Sequence, residues 1–216
     1  MNTGFPEKQY YELQRAEIAR LIVGQPKIIL DIGCASGCFK RNIQWNCDYY
    51  GVEPFHEAAQ EAMKNGIRVY EGFYHEVSDQ IPDAHFDLIV CNDVIEHMAD
   101  PWSFLKGLKR KLAPKGYVIG SLPNVRYLPN LRNLLLFKDW HYVNSGVLDR
   151  THLRFFTLKS AYRLFEECFY EVEVLRPSGP DRFKRLKQII SPFFLLVGTD
   201  VLYMQMAFRL NPHESS

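Results

Sequence analysis

The sequence predicts an α/β protein built on a doubly wound, mostly parallel sheet. Three observations predict it. Short apolar strands alternate with helical stretches five times between residues 28 and 122. The first strand runs into a turn of small residues, Asp31-Ile32-Gly33-Cys34-Ala35-Ser36-Gly37. Acids end the first two strands, with Glu53 lying 22 residues beyond Asp31.

Pro6 to Val23 reads as a helix, with Leu13, Ala16, Arg20 and Leu21 at helical spacing and Gly24 and Pro26 ending it. Tyr10 and Tyr11, at its start, pack on the sheet or cover a ligand as a lid. Ile28 to Leu30 reads as a buried parallel strand. Gly33 and Gly37 leave room for a ligand against the backbone, and Phe39 to Ile43 starts a helix. A strand, a tight turn and a helix N-terminus form the usual nucleotide-cofactor corner. Asp31 would repel a pyrophosphate and attract a cationic amino-acid group. The turn also lacks G-x-G-x-x-G, so both features weigh against NAD.

Tyr49 to Val52 is the second strand, and Glu53 at its tip is placed to accept hydrogen bonds from ribose hydroxyls. His56 to Asn65 is the crossover helix, capped by Gly66. Ile67 to Tyr70 and Phe86 to Cys91 are the third and fourth strands. The fourth runs into Asn92-Asp93-Val94-Ile95-Glu96-His97. Pro101 starts a helix over Trp102 to Leu112, Pro114 to Gly116 turn the chain, and Tyr117 to Leu122 is the fifth strand, followed by Pro123 and Asn124. Residues 125–156 exceed what the core requires and leave the fifth strand where ligands of such sheets lie, so they wall the site. Thr157 N-caps a helix from Leu158 to Phe169.

At 216 residues the chain suits one domain, with an N-terminal helix over 1–25 and inserts at 125–156 and 181–199. A net charge of +1 leaves no global electrostatic case for nucleic acid. Five cysteines argue against a disulfide framework, and Cys34 and Cys38 read as small packing residues. No N-terminal basic-then-apolar signal and no membrane-length apolar run is present, so a cytosolic location is expected.

The run from Asp31 to Gly37 resembles the D-x-G-x-G-x-G first motif of class I S-adenosylmethionine-dependent methyltransferases, with Ala35 at the middle glycine. The Glu96-His97 turn before Pro101 resembles their fourth motif. Leu112-Ala113-Pro114-Lys115-Gly116 resembles the turn before their fifth strand. The resemblance covers residues 20–176. It implies a Rossmann-like fold with a terminal antiparallel hairpin, for which Glu171 to Leu175 and Val201 to Leu210 are the candidate strands. It implies S-adenosylmethionine as cofactor and S-adenosylhomocysteine as product. Asp31, Gly33, Ala35, Ser36, Gly37, Glu53 and Asn92 would hold the cofactor, Phe73 would stack on adenine or pack, and Tyr11 would lie over it.

The Asp149-x-Thr151-His152-x-Arg154-Phe155-Phe156-Thr157 run resembles a subgroup associated with bacterial surface-glycan biosynthesis, that of lipopolysaccharide and O-antigen. It is more distantly similar to small-molecule O-methyltransferases of quinone pathways. The first implies methylation of a sugar or glycan precursor, the second a small-molecule acceptor. His152 with Asp149 is a base-and-orienter pair, or else Asp149, His152 and Arg154 form a structural network. His97 and His141 are the other candidate bases. Asn124, His141, Arg150 and Arg154 are candidate substrate contacts, and no metal site is expected. An NAD-dependent oxidoreductase or epimerase, and a non-catalytic binding protein, are the competing readings. Residues 181–199, basic and then apolar, pack over the insert or on a second subunit in a homodimer. Alternatively they lie in a membrane interface, where a lipid-carried acceptor would sit.

Overall fold

The computed structural model describes residues 15–179 and 198–213. The remaining residues carry the lid tyrosines Tyr10 and Tyr11 and most of the 181–199 insert, so those expectations lie outside the described residues. The chain runs α1 (Ala16–Ala19), β1 (Ile28–Ile32), β2 (Asp48–Glu53), α2 (His56–Lys64), β3 (Arg68–Glu71), α3 (Tyr74–Val77), β4 (Phe86–Asn92), α4 (Pro101–Lys111), β5 (Leu112–Pro123), α5 (Leu128–Leu136), α6 (Leu158–Glu167), β6 (Tyr170–Ser178) and β7 (Gln205–Pro212). The seven strands form one sheet in the order β3-β2-β1-β4-β5-β7-β6. The first five are parallel, and β7 is antiparallel to both neighbours.

Alternate residues of each central strand enter different halves of the core, because side chains alternate across a sheet. Leu30, Ile32, Ile89 and Val118 meet Phe104, Leu105 and Leu108 of α4 and Leu164 and Phe165 of α6. Ile29, Leu88, Val90 and Ile119 meet Ile18 of α1, Ala62 of α2, and Phe39 from the segment between β1 and β2. Both faces are therefore covered, as the apolar strands predict.

Local capping chemistry sets the helix starts. Asp100 accepts from Ser103 N at 3.1 Å, with Pro101 in the first turn of α4. Thr157 Oγ1 accepts from Ser160 N at 3.1 Å, and Ser160 Oγ accepts from Thr157 N at 2.9 Å.

Four expected elements differ. No helix follows the small-residue turn; Cys38–Asn42 is a 3₁₀ segment. The Asn42 side-chain amide takes Phe39 O at 3.0 Å, the carbonyl an α-helix would give to Ile43 N, which bonds Lys40 O at 2.9 Å instead. The N-terminal helix ends at Ala19 rather than Val23, and its described part starts from Arg15 at φ 50°; residues 6–14 of that expectation lie outside the described residues. The turn at Pro114 to Gly116 lies inside β5 as a bulge, between the Phe86–Leu112 and Leu88–Tyr117 pairs, with Lys115 at φ 67°. The last strand starts at Gln205 rather than Val201, and a 3₁₀ turn, Thr199–Leu202, occupies the residues before it.

Candidate active site

The C-terminal ends of β1, β2 and β4 lie side by side, and each carries an acid. Register places Asp31 beside Gly51 and Val90, and Ile32 beside Cys91. Asp31 is buried, and its Oδ2 accepts from the Tyr49 hydroxyl at 2.9 Å. Burial, partly offset by Tyr49 and reinforced by Glu53, pushes its carboxyl up to about 7. Glu53 is also buried; its Oε2 accepts from Ala35 N at 2.9 Å and its Oε1 from Phe55 N at 3.1 Å. Burial raises its pKa, opposed by those two backbone donors.

Glu53 thus ties the second strand to the small-residue turn. Ala35 takes φ 48° there, a left-handed conformation costing roughly 1–2 kcal/mol in an L-residue. Gly37, at φ 84°, does not leave open space for a ligand, as the sequence suggested. A Cβ there would collide with Ile67 Cδ1. Gly37→Ala is therefore expected to destabilise the fold by about 1–3 kcal/mol in chemical denaturation, through backbone strain and displacement of Ile67. Gly33 also faces protein, though less tightly: an added Cβ would lie 3.0 Å from Val94 Cγ2. That contact sets the 93–97 loop directly against the small-residue turn.

This loop contributes residues the site prediction did not single out. Asp93 is buried at φ 53°, accepts from Ser121 Oγ at 2.8 Å, and forms an ion pair with Arg15. The Gln205 amide, oriented to donate, reaches Asp93 Oδ1 at 3.0 Å. The rule that picked out Asp31 and Glu53, an acid at a strand tip, would also have found Asp93. The adjacent Asn92 has a buried Oδ1 without a hydrogen-bond partner.

Three residues beyond Asp93, Glu96 is fully buried and neither of its carboxylate oxygens has a hydrogen-bond partner. Burial pushes its carboxyl up to about 8. His152 Nε2 lies 3.9 Å from Glu96 Oε1, and the His97 and His152 rings meet edge to face at 4.8 Å. Burial lowers both histidine pKa values, and in His97 the neighbouring His152 lowers it further. Both imidazoles are therefore neutral at physiological pH. The insert delivers His152 here because Leu153 N and Arg154 N both donate to Glu96 O, at 2.8 and 3.0 Å.

The expected hydrogen bond between Asp149 and His152 is not made. Asp149 Oδ1 accepts from Thr151 N at 2.8 Å and Thr151 Oγ1 at 2.6 Å, while His152 Nδ1 donates to Val147 O at 3.0 Å. A short acid prefers its own backbone two residues on, and that closes the turn locally. Asp149→Ala is expected to lower stability by about 1 kcal/mol, seen as a lower Tm, and to move the basic-group limb of the pH profile to lower pH, because the Asp149 charge raises the His152 pKa.

The remaining predicted residues scatter. Asn124 is fully buried and committed: its Nδ2 donates to Asp200 O at 2.9 Å and Tyr203 O at 3.1 Å, and its Oδ1 accepts from Arg126 N at 3.1 Å. It ties the fifth strand to the lead-in of β7, which argues against a substrate contact. Arg154 is exposed and donates to Ala99 O, bracing the insert on the loop before α4. His141 and Arg150 are exposed on the insert. Phe73 is exposed beyond β3 and stacks on His75 at 5.8 Å. Ser36 O accepts from Asn65 Nδ2 at 2.9 Å. Cys34 and Cys38 are free and buried.

A model of the family described as a methyltransferase domain matches residues 7–173. The chain is 28% identical over 106 residues to a ubiquinone biosynthesis O-methyltransferase of Pectobacterium atrosepticum, covering 45% of this chain and 43% of that protein. It is 24% identical over 161 residues to the protein of the same description in Rickettsia bellii, covering 68% and 63%. The chain thus spans less than two thirds of the length of these relatives. A crystal structure described as a SAM-dependent methyltransferase from Archaeoglobus fulgidus superposes with a TM-score of 0.63 at 16% identity, covering 94% and 96% of the two chains. That likeness is one of fold.

Proposed function

The chain belongs to the methyltransferase-domain family, matched over residues 7–173, and from that premise we propose that it methylates a hydroxyl oxygen of a small-molecule acceptor. S-adenosylmethionine is the cofactor that the family and fold imply. The residues present fit it. Asp31 and Glu53 are two buried acids on adjacent strand tips, and neither pairs with a lysine or arginine among the described residues. A ligand with a cationic end offsets that charge, whereas a pyrophosphate would add to it.

When bound, this cofactor supplies a methyl group already activated on a sulfonium sulfur, so the protein need only position the acceptor, exclude water and remove the hydroxyl proton. Asp31 would hold the cationic amino-acid end, and Glu53, whose oxygens retain lone pairs, the ribose hydroxyls. His152 Nε2 would take the acceptor proton as the oxygen gains the methyl group, and the Glu96 carboxyl, 3.9 Å away, rather than Asp149, is the acid beside that nitrogen.

The observation that carries this reading is the Glu96–His97–His152 cluster, set beside the small-residue turn through the Val94–Gly33 contact. The relatives' printed activity supports a hydroxyl on a small molecule. A sugar or glycan precursor is the second reading, favoured by the Asp149-to-Thr157 run. A mass-spectrometric screen with S-adenosylmethionine and separate panels of phenols, catechols, nucleotide sugars and amines tests both. Methylation of a phenolic or catecholic hydroxyl is the expected result. Transfer confined to sugars selects the second reading, and transfer confined to amines overturns O-methylation.

A further inference from the structure

Asp31 stands opposite a glycine. Parallel register pairs Asp31 of β1 with Gly51 of β2, and Ile29 with Tyr49, two residues earlier on the same face. Gly51 carries no side chain, and a Cβ there would collide with Cys34 Sγ, so Cys34 fills that place. Tyr49 reaches along the strand past it, and its hydroxyl donates to Asp31 Oδ2 at 2.9 Å. The Tyr49 ring is buried in the core cluster with Ile29, Cys34, Ala62 and Ile67, and Lys40 Nζ lies 5.9 Å from its centroid. Packing fixes the ring, so the hydroxyl it carries is aimed at one acceptor. The titratable groups facing Asp31 are Tyr49 and Glu53 on β2, Cys34 in the turn and Cys91 on β4. None of them brings positive charge, and no lysine, arginine or histidine among the described residues pairs with Asp31.

We infer that Tyr49 is a positioning residue for cofactor capture: its hydroxyl holds the Asp31 carboxylate in one orientation and favours its ionised form, which sets the pH range over which the amino-acid end of the cofactor is bound. The inference rests on the reading in which Asp31 holds that end. Burial, the larger influence, and the nearby Glu53 favour the neutral carboxyl, whereas the hydroxyl donor opposes them. A carboxylate offers about four acceptor sites on its two oxygens, so the bond from Tyr49 leaves others for a ligand ammonium. Removing the hydroxyl would raise the carboxyl further by roughly one to two pH units, the worth of a hydrogen bond to a charged group. Below that midpoint a smaller fraction of the protein would carry the charge, and affinity would fall in proportion.

The test compares Tyr49→Phe, which keeps the ring, with the parent by calorimetry, with circular dichroism checking the fold. The probe is S-adenosylhomocysteine, which carries the same amino-acid end as the cofactor. The ratio of the two dissociation constants at each pH cancels the titration of the ligand's own amino group. That ratio is expected to be about 10–100 near pH 6 and to approach one by about pH 9.5. A ratio of one throughout, or a loss that is the same at every pH, overturns the role of Tyr49. Asp31→Asn separates that failure from failure of the reading beneath it. If Asp31→Asn loses affinity while the Tyr49→Phe ratio stays flat, Asp31 remains the cofactor contact and the inference alone falls. Parental affinity in Asp31→Asn removes the contact itself. A second measurement needs no variant: in the cofactor-free parent, carbon-13 NMR of Tyr49 Cζ and Asp31 Cγ should show both titrating with one midpoint near 7. A Tyr49 Cζ that does not move with Asp31 overturns the inference even where Tyr49→Phe fails to fold.

Discussion

His152→Gln is expected to lower turnover by about 10²–10⁴-fold, the usual worth of a positioned general base, and to leave S-adenosylmethionine affinity unchanged. The separation follows from geometry. His152 reaches the site from the insert and abuts Glu96 and His97, whereas the buried acids Asp31 and Glu53 lie on β1 and β2. Its lowered pKa, caused by burial, keeps the ring neutral and able to accept a proton. Kinetics with the acceptor found in the screen give kcat, and calorimetry gives the cofactor Kd. Equal losses in both, with a lower Tm, would return His152 to a structural role in the insert, through its bond to Val147 O.

Asp31→Asn is expected to weaken S-adenosylmethionine binding by roughly 10–150-fold at pH 8, equivalent to about 1.5–3 kcal/mol for a charge-assisted hydrogen bond. The pH dependence is the sharper signature. With the Asp31 carboxyl at about 7, only the ionised form attracts the cationic ligand. Affinity in the parent should therefore fall about tenfold per unit as pH drops below 7 and level off above it, a dependence the Asn variant loses. The cofactor-free protein shows the opposite trend in stability. A folded carboxyl raised above its ordinary 3.8 contributes stability that is fully present below pH 4 and is lost as pH rises through about 7. Denaturant unfolding across that window should show this loss in the parent and a smaller one in the variant. An Asn variant that binds like the parent at every pH would place the cofactor elsewhere.

The sequence by itself determined the five parallel strands, the two acidic strand tips and the starts of α4 and α6. These depend on short-range rules: alternation along a strand, an apolar run buried on both faces, and a cap within three residues, as at Thr157 and Asp100. It could not determine which polar groups meet across the fold. Asp149 and His152 are close in sequence, yet Asp149 closes its own turn and His152 turns instead to Glu96, 56 residues away. Likewise Asn42 takes the carbonyl that a helix after the small-residue turn would need, and Ile67 fills the space that Gly37 offers. Glu96 reads locally as an ordinary polar residue of a turn; only the packing of the insert against the loop after the fourth strand brings His152 beside it, and its carboxylate oxygens are buried without a partner. Local propensity selects elements, whereas the partner of a buried charge is selected by which loops the closed core brings together.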